Sequence, residues 1–123
     1  MDLKLKDKTV FISGSTSGIG YCAAKIFLQE EAVVYINGRT QQTIDKAIAG
    51  LKVEVPYGTV HGIVADFSDA ESIGHLIAQL PAIDILINNV GIYISKSFFD
   101  TTDEEWQHHL EVNVMSGVRL SRS

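Results

Sequence analysis

Four short runs of apolar residues recur along the chain, separated by stretches with helical patterning. The runs are Val10 to Ser13, Val33 to Ile36, Val60 to Ala65 and Ile83 to Asn88. They are rich in Val and Ile, and several lack polar alternation, the pattern of strands buried on both faces of a parallel sheet. Helices are predicted near Gly18–Glu30, Thr40–Leu51, Asp69–Leu80 and Asp103–Leu120. Suitable caps stand at their starts: Thr40, Ser68 or Asp69, and Thr102 with Glu105 three residues on. In the first helix Ile19, Cys22, Ala23, Ile26 and Phe27 make one apolar stripe, which predicts that this side faces the sheet.

Strand–helix alternation with no linker, repeat or low-complexity segment predicts one α/β domain over residues 1–123. Right-handed crossovers give a Rossmann-like, doubly wound parallel sheet with helices on both faces. If the first three strands stack outward, the fourth returns to the far side of the first, and the order is 3-2-1-4. Ligands in such sheets bind beyond the carboxyl ends of the strands at that switch point.

Composition narrows the picture modestly. Ten Lys plus Arg against fifteen Asp plus Glu, with no basic run, argue against a nucleic-acid partner. No apolar run approaches membrane-spanning length, and Met1 to Lys8 is too polar for a signal peptide. The single cysteine, Cys22, excludes an internal disulfide and fits a reducing cytoplasm. A cytoplasmic location is therefore expected.

Candidate chemistry begins at the first switch-point turn, Ser13-Gly14-Ser15-Thr16-Ser17-Gly18-Ile19-Gly20. Gly14 can adopt backbone angles closed to other residues, and Gly18 and Gly20 let backbone approach a phosphate. The head of the following helix offers free N–H groups and partial positive charge to a pyrophosphate. Ser15, Thr16 and Ser17 add hydroxyls, and Ala23 is small where the helix must lie close to the strand. No Gly-Lys-Ser/Thr closes the turn, so it is not a P-loop. The dinucleotide fingerprint expects an acid at the end of the second strand, but the chain reads Asn37-Gly38-Arg39-Thr40 there. An acid would repel a 2′-phosphate, whereas Arg39 can fork onto one, so NADP is expected over NAD. Arg39 as a solvated surface residue is the plainer alternative.

Asp66-Phe67 ends the third strand, where an adenine would lie; the Asp66 carboxylate can accept from its amine or simply cap the turn. Asn88-Asn89-Val90-Gly91 ends the fourth strand, where paired amides can tie strands together and Gly91 lets backbone pass a cofactor. Asn113 is unusual inside a helix unless its amide has a partner. In their order and spacing, Gly14-x-x-x-Gly18-x-Gly20, Asp66, Asn88-Asn89-x-Gly91 and Asn113 resemble the amino-terminal half of a short-chain dehydrogenase/reductase. The resemblance spans the chain. It implies that Ile19 lines the pyrophosphate, Asp66 and Phe67 contact adenine, and Asn89, Val90 and Gly91 border the nicotinamide ribose. Asn113 would be the helix Asn of the family's catalytic tetrad. Val90 departs from the family's usual Ala, and Ser13 replaces the common Thr.

The implied reaction is hydride transfer between NAD(P) and a carbonyl or alcohol substrate. The family's Ser and Tyr-x-x-x-Lys lie beyond the fifth strand, before which this chain is expected to end, so the chain alone is expected to be inactive. The rival reading is an inert nucleotide-binding or interaction module. Tyr21 and Lys25 have the Tyr-x-x-x-Lys spacing, but the helical stripe predicts that they face solvent, away from the cofactor. His108 and His109 are adjacent, point about 100° apart and cannot chelate together. Trp106 and Leu110 read as packing residues. With no fifth strand, Ile83 to Ile87 would be a bare edge that only Asp84 blunts, so a homo-oligomer is expected through that strand or the fourth helix.

Overall fold

Val- and Ile-rich runs form the strands because such side chains suit a pleated surface covered on both sides. The computed structural model describes residues 1–123. In order the elements are β1 (Thr9–Ile12), α1 (Gly18–Gln29), β2 (Val33–Gly38), α2 (Gln41–Glu54), β3 (Thr59–Val64), α3 (Ala70–Gln79) and β4 (Ile85–Ile87). A 3-10 turn at Phe98–Asp100 leads to one long helix: α4 (Asp103–Leu110), a π turn (Glu111–Met115) and α5 (Ser116–Arg122). All strand pairs are parallel and the order is β3-β2-β1-β4, as the alternation predicts.

Alternate residues of β1 supply the two cores. Val10 and Ile12 meet Ala24 and Leu28 of α1 and Ile44 and Leu51 of α2 on one face. Phe11 meets Ile73 and Leu76 of α3 and Leu120 of α5 on the other. The helix starts carry three of the expected caps. Thr40 accepts from the Thr43 N–H, Asp69 from that of Glu71, and Thr102 forms a reciprocal capping box with Glu105.

The packing of α1 corrects the predicted stripe. Gly20, Ala24 and Leu28 are the buried residues, while Ile19 and Ile26 stand 82% and 57% exposed and Cys22 is exposed. Only Ala23 and Phe27 of the predicted face pack against the core, and the fully buried small residue is Ala24 rather than Ala23. The cause is close approach. A Cβ on Gly20 would lie 2.8 Å from the Gly14 carbonyl oxygen and 2.9 Å from Ser15 Cα. The helix can sit that near only with its smallest residues inward.

Tyr21 therefore turns toward α2 rather than to solvent. It packs against the core, and its hydroxyl donates to Glu54 at 3.4 Å, beside the Lys25 ammonium at 3.2 Å from the same carboxylate. Burial, followed by the Glu54 charge and hydrogen bond, pushes the Tyr21 hydroxyl above its ordinary range. A proton-transfer tyrosine needs the opposite shift. Neither residue reaches the carboxyl ends of the strands.

Further along, β4 is shorter than the predicted Ile83–Asn88 run. Asp84 exchanges hydrogen bonds with Thr9, its carboxylate taking the Thr9 N–H at 2.8 Å and its own N–H reaching the Thr9 oxygen at 2.9 Å. Asp84 thus faces β1 and leaves the outer edge of β4 unblunted. Trp106 and Leu110 do not pack inward as predicted, being 53% and 45% exposed. The long helix buries Val112, Ser116 and Leu120 instead, one residue per turn.

Gly20→Ala is expected to cost about 1–3 kcal/mol through overpacking against backbone. Urea denaturation measures it, and an unchanged midpoint would contradict the close packing of α1 on the turn.

Candidate functional site

At the carboxyl ends of the strands, ladder pairing stops and backbone groups need other partners. Three buried side chains supply them. Ser13, which closes β1, accepts from the N–H groups of Asn89 (2.9 Å) and Val90 (3.2 Å), fastening the end of β4. Ser15 donates its hydroxyl to the Ile12 oxygen at 2.7 Å and accepts from the Asn37 N–H at 2.9 Å. Asn37 accepts the Gly14 N–H at 3.0 Å and donates to the Ile63 oxygen at 3.1 Å, joining the glycine turn to β3. Just beyond β4, Asn89 donates to the Gly14 oxygen at 3.0 Å. These bonds hold four strand ends and the turn as one unit.

The unit frames a cleft of about 420 Å³. Gly14, Ser17, Arg39, Asp66, Phe67, Asn89, Val90 and Gly91, all singled out in the sequence, line it together with Thr16, Asn37, Ile92, His108 and Val112. Gly14 and Gly18 have φ of +59° and +60°, so the turn needs glycine at both. A Cβ on Gly18 would meet nothing within 4 Å, which marks open space in front of the turn. Ser17 starts α1 without a side-chain cap and the first turn holds no acid, so the leading amides lack partners in the chain. Ile19 stands exposed at this helix head, while Gly20 is pressed behind the turn.

Ser15 differs from its expected place. It is fully buried with both its hydroxyl and its N–H engaged, the latter on the Asn37 oxygen at 2.9 Å, and it braces the turn from behind. Val90 crowds the floor: its Cγ2 is 3.0 Å from where a Gly14 Cβ would be.

Asp66 and Arg39 stand at the outer end. Asp66 Oδ1 takes the Ser68 N–H at 2.9 Å and the Ser68 hydroxyl at 2.7 Å. These two bonds, with the Arg39 and His108 charges adding, hold its carboxyl below the usual range. The group stays ionised and able to accept. Phe67 turns its ring into the core while bordering the cleft.

Asn113 lies behind the inner end. Its amide accepts the Ile92 N–H at 2.7 Å and donates to the Ile92 oxygen at 3.0 Å, the partner that an Asn inside a helix requires. The π turn that carries it re-aims one turn of the helix, a device common at functional sites. Asn88 leaves the cleft to donate to Ser121 at 3.1 Å.

Two contributors escaped the sequence reading. Asn37 had a legible sign, an amide closing an otherwise apolar strand immediately before Gly38. His108 had none, because only the docking of the long helix decides which of two adjacent histidines meets the cleft.

A parallel sheet of this order, with a glycine turn and a cleft at its switch point, defines a Rossmann-type α/β fold. The short chain dehydrogenase family model matches residues 8–123. The uncharacterized oxidoreductase YvrD of Bacillus subtilis is 54% identical over 99% of this chain and 46% of its own length. A 3alpha-hydroxysteroid dehydrogenase of Mediterraneibacter gnavus is 33% identical over 100% of this chain and 51% of its own. Among solved structures, L-sorbose reductase from Gluconobacter frateurii, complexed with NADPH and L-sorbose, superposes with a TM-score of 0.91 at 30% identity. That match covers 99% of this chain and 48% of the reductase. The chain belongs to the short-chain dehydrogenase family, whose members bind NAD(P), and it spans about half the length of the curated relatives it matches. No helix is long and apolar enough to cross a membrane.

Asn37→Ala strips partners from the Gly14 N–H and the Ile63 oxygen. Each buried group left unsatisfied costs about 1–3 kcal/mol. Urea denaturation should show a clear loss, and a variant as stable as the parent would contradict the bracing role.

Proposed function

We propose that the cleft holds the dinucleotide of an NAD(P)-dependent oxidoreductase and prefers NADP(H). The observation that carries this reading is the head of α1, which has no side-chain cap or first-turn acid for its leading amides and has open space beside it at Gly18. Such an arrangement fits a pyrophosphate, and Gly14, Ser17, Gly18 and Ile19 would hold it, while Gly20 lets the helix close up behind the turn. Asp66 and Phe67 would meet the adenine, and Asn89, Val90 and Gly91 the nicotinamide ribose. Arg39 follows β2 directly with no acid beside it in sequence, which supports a 2′-phosphate there. The single exposed cysteine fits a reducing cytoplasm.

When bound, the nicotinamide supplies or accepts a hydride at a carbonyl or alcohol carbon. The chain's own residues bind and orient it. Asn113, the tetrad member of the family pattern, pins Ile92 and so would hold the adjoining Gly91 backbone in place for the cofactor. Proton transfer to the substrate oxygen needs a further donor; Tyr21 and Lys25 do not supply it, since both are committed to Glu54 away from the cleft. The family's Ser and Tyr-x-x-x-Lys would have to complete the site.

The same reading includes self-association. Trp106, Leu110, Val114 and Val118 stand exposed at four-residue spacing along the long helix. Such a stripe favours burial against a second copy.

Calorimetric titration of both dinucleotides tests the preference. Arg39→Ala should lose roughly tenfold to a hundredfold in NADPH affinity, the worth of a charge-assisted hydrogen bond, with little change for NADH. Equal affinities in the parent protein would refute the preference, and absence of binding would refute the cofactor reading. For assembly, light scattering over a dilution series should show a dimer that Leu110→Glu dissociates; a monomer at every concentration would overturn the proposed association.

A further inference from the structure

His108 and His109 are sequence neighbours on α4 that serve different surfaces. Their ring centroids are 6.4 Å apart with planes at 82°. His109 Nδ1 lies 2.7 Å from the Glu105 oxygen, and the ring borders the groove of Trp106, Phe98 and Tyr93. His108 turns the other way, into the switch-point cleft. Val112, one turn further along and buried, is its only companion there from the long helix.

The walls of the cleft's outer end therefore come from three elements. Arg39 follows β2, Asp66 to Ser68 follow β3, and His108 stands on α4. His108 lies near enough to Asp66 for its charge to act on that carboxylate. Asp66 also keeps Oδ2 without a hydrogen-bond partner in the chain, since both Ser68 donors go to Oδ1. The side chains at this end thus offer a flat ring, a free carboxylate oxygen and the apolar flank of Val112. A purine presents the complementary set: a π face, an exocyclic amine and an apolar edge.

We propose that His108 is an adenine-binding residue, its imidazole stacking on the base across the cleft from Arg39 while Asp66 takes the exocyclic amine. The inference rests on the dinucleotide reading of the cleft and adds a contact to it. His108 is exposed in the unliganded chain, so its role is recognition rather than folding.

Three probes separate the ends of the cleft: 5′-ADP for the adenine end, reduced nicotinamide mononucleotide for the other, and NADPH for both. Each is titrated calorimetrically into the full chain, the parent and the variants His108→Ala and His108→Phe. Losing a base–aromatic stack weakens binding by about tenfold or more, so His108→Ala should lose that much for 5′-ADP and NADPH. Affinity for the mononucleotide should stay unchanged, and His108→Phe should bind 5′-ADP as the parent does. An unchanged 5′-ADP affinity in His108→Ala would overturn the proposal while leaving the cofactor reading intact. Equal losses in His108→Phe and His108→Ala would overturn stacking as the contact. A parent that binds none of the three probes would overturn both readings.

Discussion

Parallel strands that stop together leave a row of amides and carbonyls with nothing further to pair with. In this chain the row is closed by Ser13, Ser15 and Asn37, each almost wholly buried and each bonded to backbone of a neighbouring strand or the segment leaving it. Everything at the cleft depends on that closure. It fixes Gly14 between β2 and β4, keeps the turn open in front of Gly18, and draws α1 so near that only glycine fits at position 20. A hydrophobic core alone would stack the layers without setting the turn to this accuracy, because burial is not directional. Hydrogen bonds in a dry environment are directional, and their loss is costly.

That rigidity contrasts with what lies in front of it. The groups facing the cleft are solvent-facing amides, the free oxygen of Asp66, and Arg39 on an exposed turn. Satisfied groups lie behind and unsatisfied ones in front, the arrangement expected of a preorganised binding site. The inner end follows the same logic through Asn113, whose two bonds to Ile92 tie a π turn of the helix to the loop leaving β4.

Much of this was legible in the sequence, because some signals are local. Strand–helix alternation gave the sheet order, and Gly14-x-x-x-Gly18-x-Gly20 placed the turn at its switch point. The face of α1 was not legible. Hydropathy favoured Ile19 and Ile26, but the distance to the turn favoured Gly20 and Ala24, and distance is a tertiary property. The bracing role of Ser15 is hidden for a related reason: a serine among serines does not announce which hydroxyl turns inward. Trp106 and Leu110 depart from expectation because an apolar residue on a helix reports a need for burial, not where in the molecule burial is met.

The central claim is that a braced set of strand ends presents the head of α1 and the β4 loop to a dinucleotide. Amide chemical shifts followed by NMR during titration with NADPH test it most directly. The account predicts shifts concentrated at Gly14, Gly18, Ile19, Asn89 and Gly91, with Lys25 and Glu54 unmoved. Shifts centred on the α1–α2 surface, or none at saturating NADPH, would contradict it.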